Sequence, residues 1–422
     1  MEQRPNLRDV WRNRPIVALA ACQVVESFAT WGSTTLLLAA LALAWGGTAA
    51  LGVVCAMTVL PHIALGPIAG SLLDRVCRRN TLIVTNVARG VVLFSMLLYV
   101  GSTVSLYLAA LALAVGQLAG LVARGALVQS LVKRDELQVA NSALNGATTI
   151  GRIIGPPVMG MVLDSAGVAT AYVVLGLAFL AAGLAMLVVP RVHVAPAKAR
   201  LVERSLDGLR HSFTSPLPRM LIISSFVFLL GGGLLNLLEL LLATDVLNSG
   251  ATGYGFMLSL YSVGSLVGAM LAARVKGSRS LASFLTGSVT MGLFVAMLAW
   301  ARNLPLALIL VACAGAAETL RTISTVSLFQ AWTPEDKITW TLGMYAAISA
   351  GGMATAYLAG PAVLQRLAVG PALLVAGTII TASALVAVTL KRGVPTGLSA
   401  PRLTGAPGSA DKAGATCLGE EH

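Results

Sequence analysis

Twelve apolar stretches, each about long enough to cross the hydrocarbon of a bilayer as a helix, constrain this chain more than anything else in its 422 residues. They run over 16–44, 48–73, 81–100, 105–132, 138–163, 168–190, 219–243, 252–273, 281–300, 304–331, 338–364 and 371–390. Gly, Pro and polar clusters punctuate them: Gly46-Gly47-Thr48, Gly101-Ser102-Thr103, Asn248-Ser249-Gly250 and Gly370-Pro371. An all-α membrane protein of twelve transmembrane helices is expected. Only 11% of the residues are charged, against roughly a quarter in a soluble domain, so a water-soluble globule is excluded. The 43 glycines suit helices that pack closely in lipid. Ala42-Leu43-Ala44 imitates a signal-peptidase site, yet the run before it is about twice the length of a signal h-region and contains Glu26, so it reads as a retained helix.

The net charge of +12 would suit a nucleic-acid binder if the cations formed a face with interleaved aromatics. They do not. Of the 29 Lys and Arg, all but six fall in the amino terminus, in alternate loops or in the carboxy-terminal tail. Arg302 and Arg366 occupy the opposite loops, and Arg89, Arg124, Arg152 and Arg321 fall within spans. Basic loops stay cytoplasmic, so both termini are expected inside. The five cysteines lack ligand or disulfide-framework spacing, and no metal or cofactor is expected.

The longest gap between spans, 191–218, is basic and carries Pro196, Pro216 and Pro218. It separates an amino-terminal six-helix unit (1–190) from a carboxy-terminal one (219–392), and a tail follows (393–422) whose Gly, Pro, Ala and polar composition suits disorder. The halves echo one another at an offset of 198–200: Gly66 and Gly70 match Gly264 and Gly268, and Gly151 and Gly160 match Gly351 and Gly360. Two pseudo-symmetric six-helix bundles with a site between them near mid-membrane are the expected architecture.

The stretch Gly70-Ser71-Leu72-Leu73-Asp74-Arg75-Val76-Cys77-Arg78-Arg79 resembles the G-x-L-x-D-R-x-G-R-R/K loop signature of the major facilitator superfamily, with Cys77 in place of a Gly. The resemblance implies the major facilitator fold, with Gly70, Asp74, Arg75, Arg78 and Arg79 as a conformational-switch loop that latches on the eleventh helix. Gly151-Arg152-Ile153-Ile154-Gly155-Pro156-Pro157-Val158-Met159-Gly160 is similar to the Gly/Pro motif of proton-linked exporters in that superfamily, Met159 replacing a Gly. Small residues there let the fifth helix approach a neighbour across the halves, and Pro156 permits a bend. Residues 124–132, Asp135-Glu136-Leu137 and Ala140-Asn141 resemble the branch of macrolide-efflux and siderophore-exporting permeases. What this likeness implies is a monomeric exporter in a bacterial plasma membrane, not an enzyme, with protons, a small molecule and lipid as its partners.

Seven ionisable residues lie inside spans: Glu26, Arg89, Arg124, Arg152, Glu239, Glu318 and Arg321. Exposed to lipid they would cost on the order of 18–25 kcal/mol together, more than the stability of most proteins, so they face protein or water. Glu26 is about 15 Å into the first span. Gln23, Glu26, Ser27, Thr30 and Thr34 form a polar stripe there; Gln117 and Arg124 mark a face of the fourth, Asn236 and Glu239 of the seventh, and Glu318, Arg321 and Thr325 of the tenth. Glu26, Glu318 and Glu239 are the proton-coupling candidates. Gln23, Thr30, Gln117, Arg124, Asn236, Arg321 and Thr325 are the candidates for a substrate cavity. The other reading of each carboxylate is a buried ion pair that fixes helix register. His62, beside Pro61, reads as a core histidine rather than a proton relay. The expected function is export of apolar or cationic small molecules in exchange for protons, the alternative being import of a sugar or organic anion clamped by the arginines.

Overall fold

A computed structural model describes residues 14–45, 48–65, 76–99, 102–132, 136–190, 213–275, 279–333 and 335–391. The described residues are helical apart from short turns: α1 (Arg14–Trp45), α2 (Thr48–Ala64), α3 (Arg78–Ser95), α4 (Thr103–Leu131), α5 (Leu137–Ala185), α6 (Pro216–Leu241), α7 (Gly250–Ala273), α8 (Ser280–Met297), α9 (Leu304–Trp332), α10 (Glu335–Leu364) and α11 (Val369–Leu390). Gly167, at φ 80° and ψ 174°, interrupts α5 between the fifth and sixth apolar stretches. That backbone conformation lies in the region open to glycine.

Among the described residues nine helical segments are long and apolar enough to span a bilayer. This is fewer than the twelve stretches for local reasons. Val139–Val188 counts once although Gly167 breaks it, α2 is short, and α3 carries Arg78, Arg79 and Arg89. Side chains such as Leu108, Leu184, Ile309 and Leu385, all more than 60% exposed, form the apolar exterior that lipid covers.

Helix starts follow local chemistry. The Ser102 hydroxyl accepts from the Ser105 amide at 3.4 Å to cap α4, and the Asn303 amide oxygen accepts from Leu306 at 2.9 Å to cap α9. Pro216 opens α6, where no intrahelical donor is lost. At the other extreme of α6 a π turn, Leu242–Val246, leads to Asn248.

Long-range packing joins α1 to α5, α7 to α9, α6 to α10 and α11, and α3 to α5. The tightest approach within this set is α7 on α9: a Cβ at Gly264 or Gly268 would land on the carbonyl oxygens of Ala312 or Ala316. Two further contacts, α5 with α7 and α2 with α10, join the first half of the chain to the second.

Candidate functional site

A cavity of about 840 Å³ opens between α1, α2, α4, α6, α7 and α10. Its wall is largely apolar, with Trp31, Leu38, Val54, Leu258 and Met353 among its residues. Hydrogen-bonding groups are scattered over all six helices: Thr30 and Thr34 on α1, Thr58 and His62 on α2, Gln117 on α4, Asn236 on α6, Tyr254 on α7 and Tyr357 on α10. The Asn236 amide donates to the Tyr357 hydroxyl at 2.9 Å, so the wall is tied across α6 and α10. No Asp, Glu, Lys or Arg among the described residues lines it. Of the seven substrate-cavity candidates, Thr30, Gln117 and Asn236 line this cavity; Gln23, Arg124, Arg321 and Thr325 do not.

Glu26 lies below that wall in a polar node. Its Oε1 is 3.3 Å from Arg89 Nη1 and 3.5 Å from Arg124 Nη2. Arg89 also donates to the Thr30 hydroxyl and lays its guanidinium 4.0 Å over the Phe179 ring. Gln23 donates to Ser27 at 2.8 Å on the same helix. Thr30 is where the node meets the cavity.

The second half holds the same node in different chemistry. Arg321, 1% exposed, donates to Ser288 at 3.0 Å and Ser225 at 2.8 Å, and sits 3.8 Å over Phe228 and 4.8 Å over Phe284. At the repeat offset Glu26 corresponds to Ser225, Arg89 to Ser288 and, within two residues, Arg124 to Arg321. One residue each from equivalent helices meets around a guanidinium in both halves. Thr325 returns its hydroxyl to the Arg321 carbonyl within α9.

Glu239 and Glu318 have no such counterpart. At the repeat offset Glu239 falls on Ala40 and Glu318 beside Gly120. Glu318 accepts a 2.6 Å bond from the Tyr261 hydroxyl. Glu239 is 2% exposed, and among the described residues no hydrogen bond or ion pair reaches its carboxylate. It lies within electrostatic reach of Glu318 and of Arg152. Arg152 stacks 4.5 Å from the ring centre of Trp31, which lines the cavity. Arg152, Glu239 and Glu318 are thus electrostatically coupled, while none of the three charges lines the cavity.

The Gly/Pro motif divides its contacts. Gly151 and Gly155 pack on Val24 and Phe28 of α1, within the same half, in place of the expected cross-half neighbour. Gly160 and Pro156 do cross, meeting Ala251 and Gly255 of α7. One turn beyond Gly160, Asp164 caps α7: its Oδ1 accepts from the Ala251 amide at 3.2 Å and its Oδ2 from Thr252 at 2.8 Å. Gly250, at φ 64°, aims those amides at Asp164. The sequence reading missed Asp164; its only local mark is its place four residues after Gly160, on the same helical face.

Gly70, Asp74 and Arg75 of the loop signature lie outside the described residues. Arg78 donates to the Ala126 carbonyl at 2.7 Å, and Arg79 to Met186 and Leu187 at 3.1 and 2.7 Å. These cations satisfy carbonyls toward the ends of α4 and α5. They stand at the end of the molecule opposite Asn248.

A profile of the transmembrane secretion effector family matches residues 12–400. The multidrug efflux pump Tap of Mycolicibacterium fortuitum is 28% identical over 274 residues, which cover 61% of this chain and 66% of that protein. The nucleoside transporter NupG superposes with a TM-score of 0.74 at 16% identity, over 89% of this chain and 100% of the transporter. A peptide-bound POT family transporter gives 0.73 at 11%, over 90% and 96%. A bacterial homologue of the lysosomal transporter Spinster, inward-facing and unoccupied, gives 0.62 at 14%, over 90% and 95%. At these identities the superpositions speak for the fold alone. With nearly the whole chain matched, and multiple apolar helices to cross the membrane, the protein is a multi-pass transporter that belongs to the transmembrane secretion effector family of the major facilitator superfamily.

Proposed function

We propose that this transporter exports apolar small molecules from a bacterial cytoplasm in exchange for protons. The observation that carries the reading is the chamber itself: about 840 Å³, built by both halves, apolar with scattered hydrogen-bonding groups and, among the described residues, no charged side chain on its wall. That lining favours the apolar end of the expected substrate range over cations. It also speaks against an importer of organic anions, since Arg124 and Arg321 are engaged elsewhere. In this reading the twelve stretches form two six-helix bundles, 1–190 and 219–392, joined by 191–218 and followed by the tail 393–422. Both termini are cytoplasmic, the Asn248 end faces out, and the protein acts as a monomer.

Proton coupling is assigned first to Glu239 with Glu318. Unlike Glu26, they are not part of the node that repeats in both halves, and among the described residues no hydrogen bond or ion pair holds the Glu239 carboxylate. Arg152 on the other half offers a cation that competes with protons for the pair, so protonation and the approach of the halves are linked. Gln at 239 keeps the volume and removes the titration. In everted vesicles with an imposed pH gradient, Glu239→Gln is expected to cut uphill accumulation of a fluorescent apolar substrate about a hundredfold, the lower end of what one positioned proton-transfer group contributes. Exchange without a gradient should continue. Undiminished gradient-driven accumulation would overturn the assignment to Glu239, and absence of exchange in the unmodified protein would overturn export itself.

A further inference from the structure

Among the described residues the cavity wall has one side chain whose ordinary pKa lies between about pH 5 and 8, and it is His62. The other titratable groups on the wall are Cys55, Tyr254 and Tyr357, none of which ionises in that range in its ordinary state. The helices packed on α2 are α1, α4 and α10. Their charged residues with described side chains are Glu26 on α1, Arg124 on α4, and Lys337 and none further on α10; their remaining titratable groups are Cys22, Tyr107, Tyr345 and Tyr357. Glu26 and Arg124 are bound to one another, and neither they nor Lys337 line the cavity. Among the described residues, His62 therefore faces the chamber without a carboxylate to hold it charged.

From this placement we infer that His62 is a specificity-determining residue that makes occupancy of the cavity proton-dependent, neutral imidazole admitting an apolar ligand and imidazolium expelling it. The inference rests on the export reading above and adds to it. An imidazolium opposite an apolar ligand must give up water without gaining a counter-charge, which is costly. Neutral imidazole costs far less and can accept or donate one hydrogen bond to the ligand. Protons arriving from an acidic exterior then favour release on that side, and a neutral cytoplasm favours loading. This sets direction at the substrate's own site, separately from Glu239, Glu318 and Arg152, none of which lines the cavity.

The test uses Nile red, which stays neutral over the range, with the full-length protein in lipid nanodiscs and energy transfer from tryptophan as the readout. Affinity is expected to fall about fivefold between about pH 7.5 and about pH 5.5, as a histidine in the free chamber charges. His62→Gln and His62→Asn should bind with the same affinity at both pH values. Retention of the pH dependence in both variants overturns the role of His62, as does a flat profile in the unmodified protein. Should neither variant fold, proton release decides the matter: on binding at about pH 6 the unmodified protein should release a fraction of a proton per Nile red, and no release overturns the inference. Failure of the unmodified protein to bind Nile red saturably at any pH removes the apolar-cavity reading and this inference with it.

Discussion

Glu26→Gln is expected to destabilise the protein by about 3–5 kcal/mol, a loss greater than any effect on transport chemistry, because it strands two guanidinium groups in the membrane interior. Arg89 is 3% exposed and has its Nη1 on Glu26; Arg124 reaches the same oxygen. From the sequence, Glu26 is either a proton-coupling carboxylate or half of a buried ion pair. With two arginines on one carboxylate, removing the acid breaks the node from its centre. The second half suggests the repair. Ser225, Ser288 and Arg321 hold a single guanidinium with two hydroxyls, so the double variant Glu26→Ser, Arg89→Ser copies that arrangement around Arg124. Recovery should be partial, since Phe228 and Phe284, which cushion Arg321, correspond to Ala29 and Thr85 in the first half. Thermal unfolding in nanodiscs reads both: Glu26→Gln at wild-type stability, or a double variant less stable than the single one, would count against the node.

What could be read from the sequence divides along the range of the interaction. Spans are local, because each must satisfy its own backbone in lipid, and so the apolar stretches were legible, whereas Gly167 was not singled out as the break between the fifth and sixth, and α6 opens at Pro216, inside the stretch read as the linker. Faces are local too: the stripe from Gln23 to Thr34 does point inward. Partners are not. Glu26 meets residues 63 and 98 positions away, and periodicity names the face a residue occupies without naming what it meets. The same limit explains why Thr30 and Gln117 fall on the cavity wall while Arg124, on the same face of α4 as Gln117, belongs to the node. Aromatic residues of the wall gave no signal at all, since Trp31, Tyr254 and Tyr357 look like any residue of an apolar run. Asp164 was hidden for a related reason: a helix cap is recognisable when the acid precedes its own helix, and this one caps a helix 87 and 88 residues further along.

That cap leads to the second large effect. Gly160, Asp164, Pro156 and their partners on α7 are among the contacts that close the Asn248 end, outer in the proposed orientation, and they join the first half to the second. An alternating transporter must break them to open there, so weakening them shifts the population without touching the cavity. Gly160→Val sets a branched side chain against the Ala251 carbonyl, an overlap with backbone that no rotamer relieves. Overpacking of this kind costs about 1–3 kcal/mol, on the order of 10- to 100-fold in the ratio of closed to open. Asp164→Ala loses a cap, about 1 kcal/mol or about fivefold in the same direction, and leaves packing intact. Cys55 reports the result, being buried in the closed state and on the cavity wall. With Cys22, Cys77, Cys313 and Cys417 replaced by Ser, a membrane-impermeant thiol reagent added outside should modify Cys55 slowly in the parent, faster with Asp164→Ala and fastest with Gly160→Val. Export should fall in the reverse order, since a transporter that cannot reclose outside cannot reload inside. Equal labelling rates in all three proteins would show that this face of α5 does not gate the chamber, and faster labelling from the cytoplasmic side alone would place the gate at the other end.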